Sequence, residues 1–193
     1  TALGSDPEGP RMNETWSYPS IVGMLLYLST NTRPDITFAV SQVARFNSNP
    51  KVSHAKAIKT IVRYLKRTFD MGTIVEPTGK LNIACWVDAD FAGLHGSEPA
   101  TDRNSARSRT GWIVCLGGTP LLWKSQLQSC VTLSTLEAEY VALSAALRTV
   151  VWTKAMVLEV ATAIGLDSNT TATIHATVFE DNQGAYLLAT KHR

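Results

Sequence analysis

Residues 81–93 read Leu-Asn-Ile-Ala-Cys-Trp-Val-Asp-Ala-Asp-Phe-Ala-Gly. The alternation along this run is that of a β-strand, and it ends on Asp88 and Asp90. Side chains alternate across a strand, so these two aspartates share a face, roughly 7 Å apart at ~3.3 Å per residue. Two carboxylates so placed can serve one site, although a strand that simply ends in a polar turn has the same pattern.

Downstream, TGWIVCLGG (110–118) and TPLLWKSQ (119–126) read as strands joined by a Gly-Gly turn, a hairpin. LSTLEAEYVALSAALRTVVW (133–152) reads as a helix, and a second helical run continues to about Ile164, where Gly165 can stop it. TATIHATVFED (171–181) is expected to be the last strand and NQGAYLLAT (182–190) the last helix. Strand, strand, strand, helix, helix, strand, helix is the order of a mixed α/β sheet with helices against it.

Upstream the period changes. MGTIVEPTGK (71–80) carries Gly and Pro and marks a domain boundary between about residues 70 and 80. Before it, residues 18–67 are helical in pattern. Ile21, Met24, Leu25 and Leu28 lie at helical spacing, and Pro34 can open a second helix with Ile36, Ala39, Val40 and Val43. A third, with Ser53 as a plausible cap, carries Ile58, Ile61, Val62 and Leu65 on one face. Residues 1–17 are rich in Gly, Pro, Ser and Asp and suit a flexible lead-in. The expected domains are thus a helical segment over 18–75 and an α/β domain over 78–193.

The chain has 193 residues, 45% of them apolar, and a net charge of +2, enough to bury a core and uninformative about a polyanionic partner. Cys85, Cys115 and Cys130 have neither zinc-site nor disulfide-framework spacing, which points to a reducing, intracellular setting. No apolar run approaches the ~20 residues of a membrane span, and there is no signal-peptide pattern, so a soluble protein without a membrane partner is expected. The first residue is not Met and the last follows a helical pattern directly, so the chain reads as a fragment of something longer.

Two further acids stand out. Ser134-Thr135-Leu136-Glu137 has the form of a capping box, which assigns Glu137 to the helix start. Glu139 has no such role. It is the single charge in the stripe Leu136, Glu139, Tyr140, Leu143, Ala146, Leu147 and Val150, where a carboxylate requires a metal or a cation, or forms a salt bridge at the rim. Asp181 closes the last strand and reads equally as an N-cap. An Asp on a first strand, a Glu in the first turns of a helix and an Asp ending a later strand can meet at one sheet edge. Clustered carboxylates suit magnesium, and two ions about 4 Å apart can stabilise both oxygens in phosphodiester cleavage.

The strings VDADFAG, SRTGWIVCLGG, LLWKSQ, LSTLEAEYVALSAA and FEDNQGA, in this order, resemble the ribonuclease H domain of copia-type retrotransposon polyproteins. YPSIVGMLLYLSTNTRPDITFAV and HAKAIKTIVRYLKRT resemble the C-terminal end of reverse transcriptase in the same polyprotein, so the likeness covers about residues 18–193. It implies a mixed five-stranded sheet flanked by helices. It also implies a nuclease that hydrolyses the RNA strand of RNA:DNA hybrids with two Mg2+ ions, Mn2+ substituting, in the cytoplasm within retroelement particles, alongside the rest of the polyprotein. Matched residue by residue, it makes Asp88, Glu139 and Asp181 the catalytic and metal-binding acids, with Asp90 a further candidate ligand. The family pattern continues past the last helix to another acid, and its polymerase aspartates lie before residue 18. The alternative is a non-catalytic nucleic-acid-binding or structural remnant.

Lys51, Lys56, Lys59, Arg63, Lys66 and Arg67 fall in a stretch without acids, most of them opposite the apolar face of the third helix. Lys56, Lys59, Arg63 and Lys66 are candidate phosphate contacts, or an ordinary solvated face. Arg103, Arg107 and Arg109, expected in the loop after the first strand, are candidates of the same kind. Hybrid recognition would rest on groove shape and 2′-hydroxyls rather than base identity. Trp86, Trp112, Trp123 and Trp152, set in apolar patterns, are expected in the core, and His54 and His175 carry no partner pattern.

Overall fold

The computed structural model describes residues 2–75, 81–99, 101–102 and 104–191. The chain forms two compact units, Thr1–Thr73 with Ala92–Ala106, and Ile74–Phe91 with Arg107–Arg193. Nothing in the sequence pattern signals that the segment after the first strand belongs to the helical unit.

In the helical unit, α1 (Tyr18–Asn31) starts at an N-cap Ser17 whose hydroxyl accepts from the Ser20 N–H, with Pro19 in the first turn. Pro34 opens a short 3-10 turn (Pro34–Ile36) rather than the helix itself, and α2 (Thr37–Ala44) follows at once. α3 (Val52–Arg67) is capped at Lys51, two residues before the expected cap Ser53. Its entry is held by His54, 0% exposed: the Lys51 N–H donates to Nδ1 at 3.0 Å, and Nε2 lies 3.0 Å from the Gly4 carbonyl. That arrangement needs a neutral ring with the proton on Nε2, and burial lowers the His54 pKa in agreement. Tyr18, Val22, Leu25, Ile36, Val40, Val43, Ile58 and Ile61 form the core. Met24, expected on the inner face of α1, is exposed, because α1 is apolar on several sides and packing selects Tyr18, Val22 and Leu25.

Residues 1–17, for which composition suggests no fixed fold, are tied to this unit along their described length. The Leu3 N–H donates to Gln42, and the Ser5 N–H to Glu98. Ser53 donates to Asp6, and Lys51 Nζ to the Pro7 and Gly9 carbonyls. Arg11 and Lys51 pair as an isolated bridge. Glu98, on the excursion between the first two strands, forms a buried ion pair with Arg45. The chain's polar groups find partners here that composition cannot foresee.

The second unit is a mixed sheet. β1 (Ile83–Asp90), β2 (Arg109–Leu116), β3 (Thr119–Leu127) and β4 (Ala176–Phe179) stand in the order β3-β2-β1-β4, with β1 antiparallel to β2 and parallel to β4. The described residues thus hold four strands, against the five that the resemblance implies. Gly117 and Gly118 make the hairpin turn with φ of 58° and 89°, the left-handed pair that a two-residue connection between twisted strands requires.

The two helical runs expected between residues 133 and 164 are one helix, α4 (Thr135–Ala163), closed as expected at Gly165, with Leu166 N–H bonded to the Ala161 carbonyl. Its length and composition alone would suffice to cross a membrane, a property absent from the run-by-run reading. Here Ala142, Leu143, Ala146 and Val150 pack on Ile83, Cys85, Val87 and Val114. The first two residues of the expected last strand, Thr171 and Ala172, instead end α5 (Ser168–Ala172), capped by Asp167, and β4 keeps only four residues. α6 (Gln183–Thr190) follows. Trp112 is partly buried against the core, whereas Trp86 (46% exposed) stacks on Phe179 at 5.2 Å and Trp152 is 79% exposed, so these two are not core residues.

Candidate metal centre

Asp88 sits near the end of β1, Glu139 in the first turns of α4, and Asp181 two residues beyond β4. One carboxylate oxygen from each lies within 4.8 Å of the other two. The parallel pairing of β1 with β4 sets two of them side by side, and α4, packed on β1, brings the third. Asp90, on the same face of β1, is exposed opposite Arg109 and outside this group of three.

Local structure frees Glu139 and Asp181 for this role. At the start of α4 the Ser134 hydroxyl accepts from the Glu137 N–H at 3.1 Å, and Glu137 Oε2 accepts from the Leu133 N–H at 2.7 Å. Glu137 is thereby committed to the helix start and Glu139 is not. At α6 the cap is Asn182, whose side chain accepts from the Ala185 N–H at 3.0 Å, so the bland role foreseen for Asp181 is filled by its neighbour.

Glu139 is buried and its Oε2 accepts no hydrogen bond from the described residues. Burial, then the charges of Glu180, Asp88 and Asp181, push its pKa up to about 7, partly offset by the Ala89 backbone N–H. Glu180, which sequence reasoning passes over, is a second such group. Its Oε1 accepts from the Asn182 N–H at 3.1 Å, its Oε2 is buried without a partner, and burial and the charges of Asp181 and Asp88 raise its pKa. Alternation is the signal that could have flagged it, since Glu180 lies two residues beyond Val178, which packs against the core. Gln128, also passed over, is buried and donates to Thr110 Oγ1 and the Ala138 carbonyl, fixing the turn of α4 that carries Glu139.

An all-oxygen donor set with orphaned buried carboxylate oxygens suits a hard divalent cation, which would supply the missing positive charge. The residues present therefore fit the magnesium that the resemblance implies.

The basic candidates divide. On α3, Lys56, Lys59, Arg63 and Lys66 are exposed. Lys59 is paired with Glu14 at 2.6 Å, and Arg63 donates to Thr60. Lys56, Lys59 and Arg63 also rim an apolar groove of about 620 Å³ floored by Trp16, Ile21, Ile58 and Val62. Arg109 is not in a loop: it opens β2, is buried, and its guanidinium reaches Ser125 Oγ at 3.4 Å, which removes it from any exposed contact surface. Arg107 is half-buried just before β2, and Arg103 lies outside the described residues.

Among known proteins, the chain is 38% identical over 135 residues to secreted RxLR effector protein 161 of Plasmopara viticola, covering 70% of this chain and 89% of that protein. It is 37% identical over 142 residues to the retrovirus-related Pol polyprotein from transposon TNT 1-94 of Nicotiana tabacum, covering 74% of this chain. The chain belongs to one family with that effector protein and is related to a short region of retrotransposon Pol polyproteins. The putative transposon Ty5-1 protein YCL074W of Saccharomyces cerevisiae is a further Pol-related match, 29% identical over 136 residues. Against the TNT 1-94 Pol polyprotein this chain spans only about a tenth of the length. No protein-family model and no solved structure matches it.

Proposed function

We propose that the second unit is a magnesium-dependent nuclease acting on the RNA strand of RNA:DNA hybrids during retrotransposon reverse transcription. The observation that carries this reading is the convergence of Asp88, Glu139 and Asp181 within 4.8 Å, one of them with an orphaned buried oxygen. Asp88, Glu139 and Asp181 would hold the metal. A bound divalent cation supplies a polarised water and charge stabilisation at the scissile phosphate. The exposed Asp88 and Asp181 face the solvent side, where a phosphodiester can approach, while buried Glu139 anchors the inner side. The Gln128 bonds to the Ala138 carbonyl and to Thr110 Oγ1 tie the turn of α4 that carries Glu139 to β2. On the helical unit, Lys56 and Lys66, which form no ion pair among the described residues, are the candidates for backbone phosphates.

The test is magnesium-dependent cutting of a labelled RNA strand paired with DNA, by this chain and by the chain extended along its reading frame. Duplex DNA serves as control. Cleavage that is lost in Asp88→Asn supports the assignment. Hybrid binding without cleavage by the extended protein, at any magnesium or manganese concentration, overturns it. A second reading, a nucleic-acid-binding or structural element without catalysis, draws on the relative of similar length whose name, a secreted RxLR effector, is not that of a nuclease.

A further inference from the structure

We propose that Glu180 is a fourth carboxylate of the centre, a ligand to its divalent cation directly or through a bound water. The inference rests on reading Asp88, Glu139 and Asp181 as a metal centre, and it adds a residue that the family resemblance does not supply.

Glu180 is held between the last residue of β4 and Asp181, and the Asn182 N–H fixes one of its oxygens. That bond leaves Oε2 in the interior, with no exposed surface and no hydrogen-bond donor among the described residues. Glu139 Oε2 is in the same condition, on a side chain more than nine-tenths buried. A buried carboxylate with no partner costs several kcal/mol or gives up its charge. Two such orphaned oxygens, one within the group of three and one on the residue next to Asp181, are a poor structural device and a good cation trap. Neither forms an ion pair with a described residue. Affinity for a hard cation rises with the number of charged oxygen ligands, so a fourth carboxylate makes the centre bind more tightly than three alone.

The experiment titrates the full chain with Mn2+, followed by electron paramagnetic resonance and by calorimetry, in wild type, Glu180→Gln, Glu180→Asp, Asp88→Asn and, as control, the exposed Glu159→Gln on α4. Glu180→Gln keeps an oxygen for the Asn182 N–H and is expected to weaken Mn2+ about tenfold, the lower end for loss of a group supporting a metal. Glu180→Asp should recover part of the affinity, Asp88→Asn should lose most of it, and Glu159→Gln should leave it unchanged. A side chain that merely packs would lower the melting temperature of the metal-free protein when neutralised, whereas relief of like-charge repulsion raises it. Equal Mn2+ affinity in wild type and Glu180→Gln, with Asp88→Asn impaired, overturns the role of Glu180 and leaves the metal centre standing. If the wild-type chain binds no Mn2+, the metal centre itself is wrong and Glu180 falls with it. Should Glu180→Gln fail to fold, Glu180→Asp decides: affinity equal to wild type in a folded protein with its carboxylate drawn back overturns the proposal.

Discussion

The carboxylates of Glu139 and Asp181 approach within 4.8 Å of each other, one buried on a helix and the other exposed beyond a strand. Their proximity is unfavourable without a cation, and that sets how stability responds to pH. Glu139 titrates at about 7 in the folded state against 4.5 for a free side chain. The folded protein holds this proton more tightly than the unfolded chain, so the contribution is fully present below pH 4.5 and is lost as pH rises through 7. Urea unfolding of the metal-free protein should show stability falling by up to about 3 kcal/mol over that window. Glu139→Gln should flatten the slope, and so should saturating Mg2+. An identical slope in wild type and Glu139→Gln would assign the pH dependence elsewhere.

The cap that separates Glu137 from Glu139 is measurable. Ser134→Ala removes the acceptor for the Glu137 N–H and should cost about 1 kcal/mol. Gln128→Ala removes two buried bonds and should cost roughly 1–3 kcal/mol, with metal affinity reduced as well because the tie between β2 and this turn of α4 is lost. Unchanged metal affinity in the folded Gln128→Ala protein would show that this turn of α4 is positioned by packing alone.

Breaking the Arg45–Glu98 pair should be costly. The Glu98 side chain has no exposure, and it also accepts from the Ser5 N–H at 3.1 Å. Glu98→Ala leaves a largely buried guanidinium without its counter-charge and an orphaned amide, and denaturant unfolding is expected to report a loss of about 3 kcal/mol. A loss below about 1 kcal/mol, the range of a solvated pair, would mean that water reaches Arg45.

Thiol labelling of the native protein should modify Cys130 and spare Cys85 and Cys115. The first is exposed, the other two are buried, and burial raises both thiols, Cys85 to about 11. Mass spectrometry after brief treatment with iodoacetamide reads the result; equal labelling of all three would contradict the packing of β1 and β2.

If the hybrid reading is right, reversing Lys56 and Lys66 together should weaken hybrid binding. The slope of log K against log salt should fall by about 0.9 for each phosphate no longer neutralised, taking the value for duplex DNA. Reversing Lys59 should do less, since Glu14 already neutralises it. A salt slope unchanged in the Lys56 and Lys66 double variant would leave α3 as a solvated face.

Side-chain period and turn chemistry carry much of this structure in the linear sequence. Alternation from Leu81 to Asp90, the Gly-Gly turn, the Ser134 cap and the stop at Gly165 are local signals, and local backbone sterics and hydrogen bonding are enough to act on them. The choice of Glu139 over Glu137 is legible for the same reason, since a capping glutamate is identified by its distance from a serine. Tertiary packing decided the rest. α1 is apolar on more than one side, so only its neighbours could choose Val22 over Met24 as its inner face. α4 is continuous because its apolar face stays packed on β1, where a reading by runs gives two helices. Arg109 is drawn into β2 by strand pairing, and Glu98 is paired with Arg45 over a long stretch of chain. Glu180 and Gln128 become conspicuous only once burial leaves a carboxylate oxygen without a donor and an amide bridging a strand to a helix. A sequence states which groups need partners; which of them find one depends on chain segments far apart, and that is settled only when the solvent is squeezed out between them.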